Sequence, residues 1–144
     1  RLNTSQILVG IDVGFKTIGI AVSDRSYTIA TPLNTVLRKG TTKDLIKLKE
    51  YLKEYEIGGF VIGLPISLDG SENEQTKKIR NFSSELQSYF SLPVEYWDER
   101  YSSDVIFKEM RNSDISATKI KKKLDQQSAA YILQGYLDRY RNKI

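Results

Sequence analysis

The chain has 144 residues, 40% hydrophobic and 28% charged, which is the composition of one globular domain over 1–144 with a core expected at about 7–140. It has no Cys and no His, which excludes thiolate nucleophiles, disulfide frameworks, cysteine–zinc and iron–sulfur sites, and any triad built on an imidazole base. Polar catalysis is left to carboxylates, Lys, Tyr, or a hard divalent ion such as Mg²⁺ or Mn²⁺ on oxygen ligands, and the net charge of +4 admits a polyanionic partner without requiring one.

Ile7, Val9, Ile11 and Val13 alternate with Leu8, Gly10 and Asp12, a period of two that predicts a strand with Asp12 opposite the large apolar row. After Gly14-Phe15-Lys16-Thr17, the residues Ile18, Ile20 and Val22 alternate with Gly19, Ala21 and Ser23, so a hairpin is expected whose second strand has one face of small side chains. A third strand around 27–36, with Pro32 marking an edge or a bend, completes an antiparallel meander. From Thr42 the period changes, and Leu45, Leu48, Leu52 and Tyr55 line one face of a helix that Gly58-Gly59 ends. Residues 60–64 form a short apolar run that reads as a buried parallel strand.

A loop over 67–71 precedes a helix with Ile79, Phe82, Leu86 and Tyr89 on one side, and Leu92-Pro93 leads into a strand over 94–98. Val105, Ile106 and Met110 suit a helix started by Ser102 or Ser103. Residues 112–123 are the most loop-like stretch of the second half, and a final helix is expected to begin near Leu124-Asp125 and to carry Ala129, Ile132, Leu133, Tyr136 and Tyr140. The order implies an α/β domain in which an antiparallel three-stranded meander is extended by two parallel strands and covered by helices. No apolar run approaches the roughly 20 residues of a membrane span, and no leader pattern is visible. A soluble, cytoplasmic protein is expected. With Arg1 in place of an initiating Met, a fragment or a processed form is expected, organellar if a leader preceded it.

Asp12 ends a strand before a glycine turn and beside the small face of the next strand, which leaves room for a metal and a substrate phosphate. The competing reading is a structural Asp that bonds the turn amides. Asp98-Glu99-Arg100 closes the last strand, where α/β proteins place ligands; the alternative is a helix cap with a local Arg pair. Alternation sends Asp98 and Glu99 to opposite faces, so one of them is expected at the site. Asp125 is explained equally well by the favourable position of a carboxylate at a helix N-terminus or by an approach to Asp12 through the small residue Ala129. Lys119, Lys121, Lys122 and Lys123 form either a solvated charge run or a clamp for a nucleic-acid backbone. Lys77, Lys78, Arg80, Arg139, Arg141 and Lys143 add charge of unassigned facing.

The segment Asp12-Val13-Gly14-Phe15-Lys16-Thr17-Ile18-Gly19-Ile20-Ala21-Val22-Ser23-Asp24 resembles the opening hairpin of the YqgF/RuvX family. Three further matches follow in the family's order: Val61-Ile62-Gly63-Leu64-Pro65 with Asp69-Gly70, then Asp98-Glu99-Arg100 with Ser102-Ser103, then Asp125 with Ala129-Ala130 and Ile132-Leu133-Gln134. The resemblance implies an RNase H-like fold and a metal-dependent nuclease that processes the precursor of 16S rRNA at its 5′ end, or that acts on Holliday junctions. It further implies catalytic carboxylates at Asp12, Glu99 or Asp98, and Asp125, with Asp12, Glu99 and Asp125 as metal ligands. Lys16, Thr17, Arg100 and Ser102 fall on motif positions that contact phosphate. Two positions depart from the family pattern. Lys16 stands where Arg is frequent and loses bidentate phosphate geometry, and Tyr101 stands where an aliphatic residue is usual.

The resulting expectation is an endonuclease with two Mg²⁺ ions, about 3.5–4 Å apart, bridged by Asp12. Its partner would be pre-rRNA or branched DNA, and its working state a monomer or a homodimer. Two rivals stand beside it: a non-catalytic nucleic-acid-binding assembly module, and an actin-like phosphotransferase, whose two lobes need far more chain than 144 residues.

Overall fold

In a computed structural model, the structure describes residues 6–65, 73–98 and 117–142, with side chains over 127–140 of the last helix. The strands β1 (Ile7–Val13), β2 (Thr17–Ser23) and β3 (Ala30–Leu37) are followed by the helix α1 (Thr41–Leu52) and by β4 (Ile57–Leu64). The helix α2 (Glu74–Phe90), the strand β5 (Val94–Asp98) and the helix α3 (Ala117–Asn142) complete the described elements. They form one five-stranded sheet in the order β3-β2-β1-β4-β5. The pairs β1–β2 and β2–β3 are antiparallel, and β1–β4 and β4–β5 are parallel. The meander extended by two parallel strands is the mixed α/β sheet that the sequence predicts.

The period of two assigns each face of the sheet to one core. Ile7, Val9, Ile11 and Val13 of β1 join Ile18, Ile20 and Val22 of β2 and Phe60, Ile62 and Leu64 of β4 beneath α1 and α2. Leu45, Leu48 and Leu52 of α1 and Ile79, Phe82 and Leu86 of α2 close this layer. On the opposite face, Ala21, Val61 and partly buried Leu8 meet Ala129, Ile132, Leu133 and Leu137 of α3. The domain is therefore helix, sheet, helix in cross-section.

Several boundaries differ from the sequence reading. The helix α1 stops at Leu52, and Gly58 and Gly59 belong to β4. The register shift between Ile7 and Leu8 leaves Gly58 unpaired, a bulge that glycine tolerates. The strand β3 begins at Ala30, because Asp24 organises residues 24–29 as a turn. On α2, Tyr89 is exposed and lies off the buried stripe. That helix starts with a reciprocal cap in which the Thr76 amide donates to Asn73 Oδ1 at 3.1 Å and the Asn73 amide donates to Thr76 Oγ1 at 2.8 Å.

The largest change is in α3, which begins at Ala117, so Lys119, Lys121, Lys122 and Lys123 stand on helical backbone and not in a loop. Lysine is a good helix former, and residues 117–134 contain neither Gly nor Pro to break the helix. The helix expected after Ser102 or Ser103 lies outside the described residues. No helix among the described residues is long and apolar enough to cross a membrane.

Candidate active site at the carboxyl edge of the sheet

Asp12 lies near the carboxyl end of β1, opposite Gly19 of β2, and is half-buried. Its neighbours Ile11 and Val13 enter the α1/α2 core, so Asp12 shares the α3 face with Gly10. Gly10, Gly19 and Ala21 keep this face low. A Cβ built at Gly10 would stand 2.7 Å from the Ala129 carbonyl oxygen and 2.7 Å from Leu133 Cβ, so α3 reaches the sheet here only because position 10 is glycine.

The direction of α3 follows from its later contacts. Gln134 Oε1 accepts from the Ala30 amide at 2.8 Å, and Ala30 pairs with Ser23 at the far end of β2. The helix therefore runs from the Asp12 end of the sheet towards the opposite end. Position 125 lies on its backbone one turn before Ala129, about 6 Å nearer that end. Because α3 starts at Ala117, Asp125 is an interior residue, and the reading that makes it the opening residue of the helix is corrected. Its side chain lies outside the described atoms, as do those of the four lysines.

Of the acidic pair at the end of β5, the register separates one member. Leu64 pairs with Asp98 and Ile62 with Tyr96, which places Asp98 on the α1/α2 face, away from Asp12. Trp97, between them, takes the α3 face, where its ring lies against Gly135. Glu99, Arg100 and Ser102 lie outside the described residues. Among the described residues, no three carboxylates converge to hold a metal. The donor they do supply is Asp12, a half-buried oxygen ligand opposite a glycine, of the hard type that Mg²⁺ or Mn²⁺ takes.

The turn beyond Asp12 is closely tied. The Gly14 amide donates to the Thr17 carbonyl at 2.8 Å; Thr17 is buried and Lys16 exposed. Arg38, at the end of β3, holds this turn from outside. Its Nη1 donates to the Gly14 carbonyl at 3.0 Å, and its backbone amide donates to the Lys16 carbonyl at 2.8 Å. Its Nε meets buried Asp44 of α1 at 3.4 Å, and its guanidinium lies 5.4 Å from the Phe82 ring centroid. Sequence reasoning missed Arg38 and Asp44, since no spacing pattern links a strand end to a turn 24 positions away.

Comparison with known proteins adds to this geometry. The family model described as "RuvX: Holliday junction resolvase" matches residues 6–139. A protein of Methylocella silvestris, named as a candidate pre-16S rRNA nuclease, is 42% identical over 141 residues, covering 98% of this chain and 88% of its own. Among solved structures, Thermus thermophilus RuvC superposes with a TM-score of 0.56 at 10% identity, covering 95% of this chain and 97% of its own. The Fowlpox virus resolvase, solved with Holliday junction DNA, gives 0.55 at 15% identity, covering 94% and 99%. At these identities the two structures establish the fold alone, which is the RNase H-like sheet that the family resemblance implies. The family match and the relative span nearly the whole chain, and with them the chain belongs to the RuvX family, a family of nucleases.

Proposed function

We propose that this chain is a metal-dependent endonuclease that processes the 5′ end of pre-16S rRNA during ribosome biogenesis. The observation that carries the reading is the half-buried Asp12 on the low, glycine-floored α3 face, in a chain whose family match runs over 6–139. In this reading Asp12, Glu99 and Asp125 would hold Mg²⁺ or Mn²⁺, and the β5 register, with Asp98 on the far face, supports Glu99 over Asp98 as the ligand. Ions held there would supply an activated water and would stabilise charge on the leaving oxygen.

The remaining roles belong to the chain's own groups. The anchored turn holds Lys16 and Thr17 beside Asp12, where a substrate phosphate would sit. Arg100 and Ser102 add phosphate contacts, and Lys119, Lys121, Lys122 and Lys123 follow the nucleic-acid backbone from the first turns of α3. An all-oxygen ligand set needs no imidazole base, in keeping with a chain that has no His. A single copy is sufficient to trim one RNA end.

The description of the matching family model favours a second reading, a resolvase acting on four-way DNA junctions in recombination or repair. One assay separates the two. Labelled pre-16S rRNA fragments and four-way DNA junctions are incubated with Mg²⁺ or Mn²⁺ and either the native chain or Asp12→Asn. Metal-dependent cutting of the RNA that disappears in the variant is the expected result. Cutting confined to the junction selects the resolvase, and tight binding with no cutting of either substrate selects a non-catalytic assembly module.

A further inference from the structure

Phe15 stands with Lys16 at the tip of the β1–β2 turn, and it is 69% exposed, the largest exposure among the bulky apolar side chains described. An apolar ring at that exposure contributes little to the core, and both cores close without it. Its surroundings are cationic. Lys78 of α2 places its ammonium 5.4 Å from the ring centroid, and Lys16 follows it as an exposed neighbour. The ring is also carried on a fixed support, since the Gly14–Thr17 bond and the two donors of Arg38 tie the turn on both sides of it.

Lys78 continues this surface. It lines an open polar cleft of about 580 Å³ between the end of β3 and α2, whose walls include Arg38, Thr41, Asn81 and Ser84 and one carboxylate, Glu85. An aromatic on an anchored turn, with the Lys78 ammonium over one face of its ring and a polar cleft beside it, matches the chemistry of a single nucleic-acid strand, which offers a flat base to the other face and a charged backbone to the cation. Position 15 lies at most about 11 Å along the chain from Asp12, a span of roughly three stacked base steps.

Resting on the nuclease reading above, we propose that Phe15 is a base-stacking residue. It takes one unpaired nucleobase within about three nucleotides of the scissile phosphate, while Lys78 and the cleft beneath it receive a backbone phosphate of that nucleotide. The turn then selects substrates in which a base within that reach of the cut is unstacked, and a fully paired stem is disfavoured.

The test uses the full chain carrying Asp12→Asn, so that bound strands stay intact, and single-stranded RNA oligonucleotides with 2-aminopurine scanned along the strand. With Phe15 present, the probe is quenched at one position. Phe15→Ala is expected to abolish that quenching and to weaken binding by about 5- to 150-fold, the fold-change of one lost base stack. Phe15→Trp is expected to restore both, and Lys78→Ala to weaken binding at low salt with the quenching kept. In the Asp12-containing chain, Phe15→Ala raises KM and leaves kcat near native. Quenching and affinity unchanged in Phe15→Ala, with metal-dependent cleavage intact in the native chain, overturns the stacking role and leaves the nuclease reading standing. A native chain that neither binds RNA nor cuts it overturns both.

Discussion

Arg38 reaches in two directions at once: its Nε meets the Asp44 carboxylate at 3.4 Å, and its Nη1 donates to the Gly14 carbonyl at 3.0 Å. Asp44 is 1% exposed, and its other oxygen accepts from the Lys39 amide at 2.9 Å, so α1 serves as the fixed post to which the turn beyond Asp12 is tied. Arg38→Ala should cost about 1–3 kcal/mol in urea unfolding, since a charged hydrogen-bond partner of a buried carboxylate is lost. The loosened turn should also lower kcat/KM for the proposed substrate by up to about 100-fold. Asp44→Asn keeps an acceptor for Lys39 and should be the milder change in both measurements.

Gly10→Ala tests the contact between β1 and α3. The added methyl has no room between the Ala129 carbonyl and Leu133, and the walls are backbone and a buried Cβ, not the flexible end of a side chain. Overpacking of this kind costs about 1–3 kcal/mol. At roughly 2–4 °C of melting temperature per kcal/mol for a chain of this size, a calorimetric scan should resolve it. A melting temperature equal to native would mean that α3 does not lie on β1 as described.

Metal removal gives a readout independent of cleavage. If Asp12 belongs to a cation site, saturating Mg²⁺ or Mn²⁺ should raise the melting temperature of the native chain by several degrees, since ligand at about 100 times its Kd adds about 2.7 kcal/mol. EDTA should reverse the gain, and Asp12→Asn should reduce or abolish it. A shift of equal size in the variant would place the ion elsewhere.

Two groups predict opposite pH effects. Desolvation pushes the Asp24 carboxyl up, but the Thr28 and Ile29 amides and the Ser26 hydroxyl outweigh it, so the pKa lies below its ordinary value. The unfolded chain then binds the proton first, and the contribution of Asp24 is present in full above about pH 4 and lost as the pH falls from there through the lower folded value. Asp24→Asn should flatten the acid limb of a plot of melting temperature against pH. Burial pushes the Tyr136 phenol up, with Glu95, Tyr140 and Tyr27 adding to it, so here the unfolded chain releases its proton first. Stability should fall above about pH 10, and Tyr136→Phe should remove part of that fall.

Gln134 carries a fifth prediction. Its amide nitrogen donates to the Thr28 carbonyl at 2.9 Å and to Asp138 Oδ1 at 3.0 Å, while its oxygen accepts from the Ala30 amide at 2.8 Å. Gln134→Leu keeps the volume and leaves two backbone groups without this partner, which should cost about 1–3 kcal/mol and speed hydrogen exchange at the Ala30 amide.

The strands were legible where a single physical rule governs them. The alternation at 7–13 corresponds to β1 residue for residue because burial leaves a period in the sequence, and the run at 94–98 corresponds to β5 because Leu92-Pro93 follows the end of α2 and bounds it. Gly58 and Gly59 misled because glycine in a bulge and glycine after a helix read alike. The lysines at 119–123 misled because charge suggests a loop, whereas helix propensity and backbone hydrogen bonding decide the matter. At the site, the facing of Asp12 could be read from its neighbours. The Arg38 anchor could not, because it depends on β3 returning past the first turn, a relation fixed by the sheet and by no local pattern.

One edge of the sheet has a consequence for how copies of this chain meet. On β3, Ala21 pairs with Pro32 and Ile20 with Asn34, so Leu33 bulges from the ladder beside a residue with no amide hydrogen to donate. A second molecule laid along this border would find its hydrogen-bonding row broken at mid-length. Irregular borders of this kind oppose strand-by-strand polymerisation.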